Sequence, residues 1–259
     1  MSPAGALALK LILTPVLVGG ASLAGRRWGS GVGGWLIGIP FTSGPIAFFL
    51  ALDPGPRFAA SAAAGIMAGT GSQAAFCLAY SWVAQRSSWA VSLLAATVAF
   101  AGATAVLDAF VVPAPAFFVV MIVVLVVFLF LMPGQATRDV GQVDFPRWDI
   151  PARMVVATAF VVVLTAVAPL LGPRLAGLLA PFPLYATVLA AFAHRIQGGG
   201  AAVGVLRGLL LGLFAFASFF LVLALLLPNG IAVAFISAIA CALAVQAASL
   251  MIGRRVGLA

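Results

Sequence analysis

The residues with the most to offer chemically lie in Ile39-Pro40-Phe41-Thr42-Ser43-Gly44-Pro45, in the middle of an apolar run from about residue 31 to 52. Proline has no backbone N–H and clashes with the preceding turn, so a helix here kinks or breaks. Inside a bilayer, broken backbone is tolerated only where protein or a cavity satisfies it. A break leaves N–H groups at the start of one half-helix, which attract anions. It leaves carbonyls at the end of the other, which suit cations. A second break is expected at Pro181-Phe182-Pro183, again near the middle of an apolar run. Thr42 and Ser43 place hydroxyls at the first, Tyr185 and Thr187 at the second. The bland alternative is a pair of packing kinks whose freed carbonyls are capped by Ser and Thr.

Gln73, in Gly69-Thr70-Gly71-Ser72-Gln73, is read at about the depth of Pro40. A buried amide without partners costs several kcal/mol in an apolar medium. Two readings stand: substrate contact, with the broken carbonyls at Pro40–Pro45 as natural partners, or interhelical glue, with Gly65, Gly69 and Gly71 permitting close approach. The expected substrate-binding set is therefore Pro40, Thr42, Ser43, Gly44, Gln73, Pro181, Pro183, Tyr185 and Thr187. Asp108 and Arg207 are secondary candidates. Asp108 is the one acid within an apolar span but lies near the end of that span, where it can reach water. Arg207 can snorkel or contact an anion. His194, at a helix C-terminus, reads as a capping cation rather than a proton relay. No acid, histidine and nucleophile share one depth, so no catalytic residues are assigned. Cys77, Cys241 and His194 are too scattered for a metal site, and no cofactor motif is present.

These residues need elements to position them. The chain is 64 % hydrophobic and 7 % charged, against about 25 % charged for a soluble domain. It reads as an all-α polytopic membrane protein with nine segments, near residues 5–24, 31–52, 55–84, 88–109, 114–132, 150–170, 174–194, 199–227 and 229–252. The first segment lacks a basic leader, so it is not read as a removable signal peptide. The net charge of +8 is spread over short loops, which argues against nucleic acid and for membrane orientation. Nine spans put Arg26, Arg27, Arg86, Arg138, Arg147, Arg195, Arg254 and Arg255 on one side, and Lys10, Arg57 and Arg174 on the other. The N-terminus is then expected outside a bacterial-type inner membrane and the C-terminus in the cytoplasm. The polar stretch 133–149 is expected to be a cytoplasmic loop.

Shifted by 143 residues, the chain aligns with itself without a gap. Gly34 falls on Gly177, Pro40 on Pro183, Phe49 on Phe192, Gly65 on Gly208, Gly69 on Gly212 and Phe76 on Phe219. The expected organisation is a four-helix repeat (1–109), a linking span (110–132), the loop, and a second repeat (150–259). With five spans between equivalent helices, the second repeat enters from the opposite face. This 4+1+4 inverted plan recurs in secondary transporters, with sites at the repeat interface.

The run Ala176-Gly177-Leu178-Leu179-Ala180-Pro181-Phe182-Pro183, then Ala193-His194, Arg207 and the phenylalanines 214, 216, 219 and 220, resembles the GlpM-like membrane proteins. The resemblance covers the chain from about residue 150 onward. It implies a fused double version of such a protein, and architecture more than activity. In the first half, Ala51 stands opposite His194 and Ala64 opposite Arg207, so neither role is expected twice. The expected function is a small secondary transporter or facilitator for a small solute between the two breaks. The alternative is a non-transporting assembly or regulatory protein. Its surroundings are the lipid bilayer, and a homodimer fits either reading.

Overall fold

The computed structural model describes residues 3–28, 40, 42–110, 112–134 and 149–256; for residues 3, 4, 6, 21, 22, 24–28, 149, 153, 185, 250 and 252–256 only the backbone is included. These residues form α1 (Pro3–Trp28), α2 (Ser43–Leu52), α3 (Pro56–Ala68), α4 (Thr70–Val83), α5 (Trp89–Asp108), α6 (Ala114–Leu131), α7 (Asp149–Leu179), α8 (Leu184–Gln197), α9 (Gly199–Leu226) and α10 (Ile231–Val256). A 3₁₀ turn, Leu227–Asn229, joins the last two. No strand occurs among the described residues.

Six stretches are long and apolar enough to cross a membrane: Pro56–Val83, Trp89–Asp108, Ala114–Leu131, Ile150–Leu179, Gly199–Asn229 and Ile231–Ser249. Large apolar side chains face outward around the bundle, among them Phe130 at 78 %, Ile236 at 70 % and Leu170 at 88 % exposure. A water-soluble surface of this kind would aggregate, whereas hydrocarbon solvates it. The molecule is therefore an all-helical protein with the character of a multi-pass membrane protein.

Of the nine expected segments, the third to sixth, the eighth and the ninth correspond to these six stretches, while the first and second appear among the described residues as shorter apolar helices, Leu7–Gly20 and Ser43–Leu52, and three boundaries differ. The third is α3 and α4 in sequence, continuous through Gly69, whose N–H reaches the Gly65 carbonyl at 2.8 Å. The sixth and the start of the seventh form α7, interrupted at Gly172, where φ is +77° and ψ 162°. The second is described only at Pro40 and from Thr42 on; its first half lies outside the described residues, as does most of the loop 133–149.

Small residues decide the packing. Gly65 on α3, and Gly69 just past its end, meet Gly177 of α7 and Pro181 just beyond it. A Cβ at Gly65 would stand 2.7 Å from the Arg174 carbonyl oxygen and 3.1 Å from the Gly177 Cα. A Cβ at Gly177 would collide with the Ala62 carbonyl, and one at Gly69 with the Pro181 ring. Two backbones thus approach as closely as glycine permits, which is how apolar helices gain van der Waals energy when lipid offers no hydrophobic gain. α9 is buried along Leu206, Leu210, Leu213, Ala217 and Phe220. α6 has only Met121 and Leu125 buried and presents Val119, Val123 and Phe130 outward.

Candidate functional site

The second expected break occurs; of the first, only the downstream side, Pro40 and Thr42 onward, lies among the described residues. At the first, the Gly44 N–H reaches the Pro40 carbonyl at 2.8 Å and α2 starts at Ser43. At the second, α7 ends at Leu179 and α8 begins at Leu184. Pro181 has no N–H to offer the Gly177 carbonyl, so the helix ladder stops there. The Phe182 N–H turns to the Leu179 carbonyl at 3.1 Å, and the Thr187 N–H takes the Pro183 carbonyl at 2.8 Å.

The two breaks touch. Ser43 Oγ donates to the Ala180 carbonyl oxygen at 2.9 Å, a buried bond between residues 137 apart in sequence. Ser43, Pro40, Gly44, Pro181 and Pro183 are all buried. Thr42 is half-buried, and its side chain makes no cap bond to α2. The side chain of Tyr185 lies outside the described residues.

Gln73 faces the second break rather than the first. Gly69, Gln73, Phe76 and Tyr80 recur at helical spacing and share one face. Gly69 abuts Pro181, and the Phe76 ring lies 6.2 Å from that of Phe182. The Gln73 side chain is 5 % exposed, and its Oε1 has no hydrogen-bond partner. Among the described residues no hydrogen bond joins Gln73 to the Pro40–Pro45 carbonyls, and its helix face is shared with Gly69, which abuts Pro181. Thr187 Oγ1 on α8 and Thr70 Oγ1 on α4 are likewise buried without partners. Gly65 and Gly69 do act as close-packing residues, as the glue reading supposes.

The secondary candidates resolve into local contacts. The Arg174 guanidinium donates to the Leu107 carbonyl at 2.9 Å and to the Phe110 carbonyl, and pairs with Asp108 at 3.4 Å. Asp108 is thus a partly exposed ion-pair partner at the end of α5. One Arg207 N–H bonds the Pro133 carbonyl at 2.9 Å, tying α9 to the end of α6, while its Nε stays buried and unpartnered. The His194 side chain does not cap α8. Its Nδ1 lies 3.3 Å from the Tyr80 hydroxyl, and a backbone N–H, that of Gly198, takes the His194 carbonyl.

Sequence reasoning missed three features here. Tyr80 gave no signal, since its partner is 114 residues away. Phe182 closes the second break by inserting between Phe76 and Phe100, its ring 5.2 Å from the latter. The third is a cavity of about 290 Å³ beside the first break, lined by Pro40, Gly44 and Phe48 together with apolar side chains of α1, α9 and α10. Among the described residues no group of acidic, histidine or cysteine side chains is arranged to hold a metal ion.

Comparison of the chain with protein families, curated proteins and solved structures finds no match. A functional reading therefore rests on the residues themselves.

Proposed function

We propose that this protein is a small secondary transporter or facilitator of an inner membrane, built as two inverted four-helix repeats around a linking helix, with a small solute crossing where the two breaks meet. The observation that carries this reading is the Ser43–Ala180 bond between the breaks, set beside the unpartnered oxygens of Gln73 and Thr187. An unpartnered buried polar atom costs about 1–3 kcal/mol. Packing alone gives no reason to keep two of them on the elements that carry or flank a break, whereas a transient polar occupant does.

Helix boundaries support the repeat. The stretch Pro56–Val83 and helix Gly199–Leu226 coincide end to end under the 143-residue shift. The glycines before them, Gly55 (φ 107°, ψ 168°) and Gly198 (φ 93°, ψ 175°), share one unusual conformation at the same register. The α4–α5 pair is answered by α9–α10, and α1 packs against α7, its own counterpart. On the basic-residue count, the N-terminus lies outside and the C-terminus in the cytoplasm.

The test needs no knowledge of the solute. Gln73→Cys and Thr187→Cys, each in a Cys77→Ala/Cys241→Ala background, are exposed to a membrane-impermeant maleimide in vesicles of each orientation. Alternating access expects labelling of each from both faces. Protection of both from both faces would sink the transport reading.

A second reading has its own observation. Phe76, Phe100 and Phe182 interlock at the second break and Pro181 presses on Gly69, a dry core suited to a non-transporting assembly or regulatory protein. It expects the cysteines to stay protected, and a soluble partner to be captured by the intact protein and lost on deletion of 133–149.

A further inference from the structure

We infer that the cavity beside the first break is a binding site for one hydrocarbon chain of a phospholipid with an anionic headgroup, the headgroup lying at Lys10. The inference stands apart from whether a solute moves at the breaks.

Its shape is the first argument. The lining on α10 runs from Phe235 to Gln246, about 16 Å at 1.5 Å per residue. That is close to one leaflet's share of a hydrocarbon core about 30 Å thick. The walls from α1, α2 and α9 include Leu13, Leu17, Phe48 and Phe219. A polar solute would gain nothing from such a lining.

Its surroundings are the second. Next to the lining residues, α1 presents Ile12 and Val16, each 63 % exposed, and α10 presents Ile236 at 70 %. Both walls thus continue into faces that only lipid can solvate, and a chain can enter sideways without crossing water.

The third is the contrast between the two halves. Shifted by 143 residues, the cavity residues Phe219 and Leu243 correspond to Phe76 and Phe100. There Phe182 fills the gap between the two rings. In one half Phe182 takes this place; in the other the described residues form the cavity, and Phe182's own counterpart, Ile39, lies outside them.

The charge supplies the headgroup. Lys10 stands on the α1 stripe that continues through Leu13 and Leu17. Its Nζ lies 5.4 Å above the Phe49 ring, which contacts Phe48 at 5.7 Å. The ammonium is therefore one ring removed from the cavity wall. Asp53, just beyond α2, is the acidic group that acts on it. Asp53 is exposed, so water screens its hold and a lipid phosphate can compete.

The experiment uses the full-length protein in nanodiscs of phosphatidylglycerol or phosphatidylcholine carrying a photoactivatable acyl chain, with cross-links mapped by mass spectrometry. Cross-links are expected at Leu13, Phe48 and Phe219, in addition to annular ones at Phe130 of α6, and the cavity set is expected to be stronger in phosphatidylglycerol. Ala242→Phe, which fills the cavity, should abolish the cavity set and leave Phe130 labelled. Lys10→Gln should abolish the preference between the two lipids. Two outcomes would overturn the proposal: labelling at annular positions alone, or equal cavity labelling in both lipids with the native Lys10. Because both are read on the unaltered protein, misfolding of a variant cannot shelter it.

Discussion

Gly177 and Gly102 both sit in apolar helices, yet they answer to different physics. Nothing lies within 4 Å of a Cβ added at Gly102. Alanine there removes backbone entropy from the unfolded chain at no steric cost, and Gly102→Ala is expected to stabilise by about 0.5–1 kcal/mol. At Gly177 a Cβ meets the Ala62 carbonyl, backbone that cannot step aside. Gly177→Val is expected to cost at least ~1–3 kcal/mol, the usual range for overpacking. Thermal midpoints in one detergent should move in opposite directions for the two. Gln73 gives a sharper contrast between stability and function. Its Oε1 contributes no hydrogen bond in this state, so Gln73→Leu, similar in volume, removes a desolvation cost of about 1–3 kcal/mol. The variant is expected to match or exceed the wild type in thermal midpoint while losing solute flux. If Gln73 were glue through an amide bond, the midpoint would fall instead.

At the scale of elements, the break at Pro181 was legible because its cause is local: a proline withholds its N–H wherever the chain goes. The dipeptide Gly172-Pro173 was legible in the same way, as the gap between the sixth and seventh segments. What holds these pieces was not legible. Arg174 reads in sequence as a loop cation, yet it clamps the last carbonyls of α5 through contacts more than sixty residues away. Its role depends on where Gly172, at φ +77°, aims the short run that follows. Two substitutions separate charge from clamp. Asp108→Asn removes only a half-exposed ion pair, worth about 0.2–1 kcal/mol. Arg174→Ala also removes two charge-assisted bonds to carbonyls, for roughly 1–2 kcal/mol after allowance for its partial exposure. Equal losses in denaturant midpoint would show that the carbonyl contacts carry nothing.

For the molecule as a whole, the membrane character and the helix class follow from composition and segment length, since hydrocarbon demands internal backbone bonding whatever the tertiary detail. Rotation was harder to read. Which break Gln73 faces depends on helix rotation, which no alternation of small and large residues specified. The inverted repeat spans both kinds of information, and it makes a prediction that neither half alone would make. The tight crossing of Gly65 on Gly177 is observed. Under the 143-residue shift its counterpart is Gly208 on Gly34, with Gly34 outside the described residues. If the halves repeat, Gly208 stands against backbone as closely as Gly65 does. Gly65→Leu and Gly208→Leu should then lower folded yield and thermal midpoint alike, by at least ~1–3 kcal/mol each. Gly20→Leu, at a glycine with nothing within 4 Å of an added Cβ, should change little. If Gly208→Leu behaved like Gly20→Leu while Gly65→Leu failed to fold, the second crossing would not exist. The duplication would then be a coincidence of apolar sequence, and the proposed transport route would lose its symmetry argument.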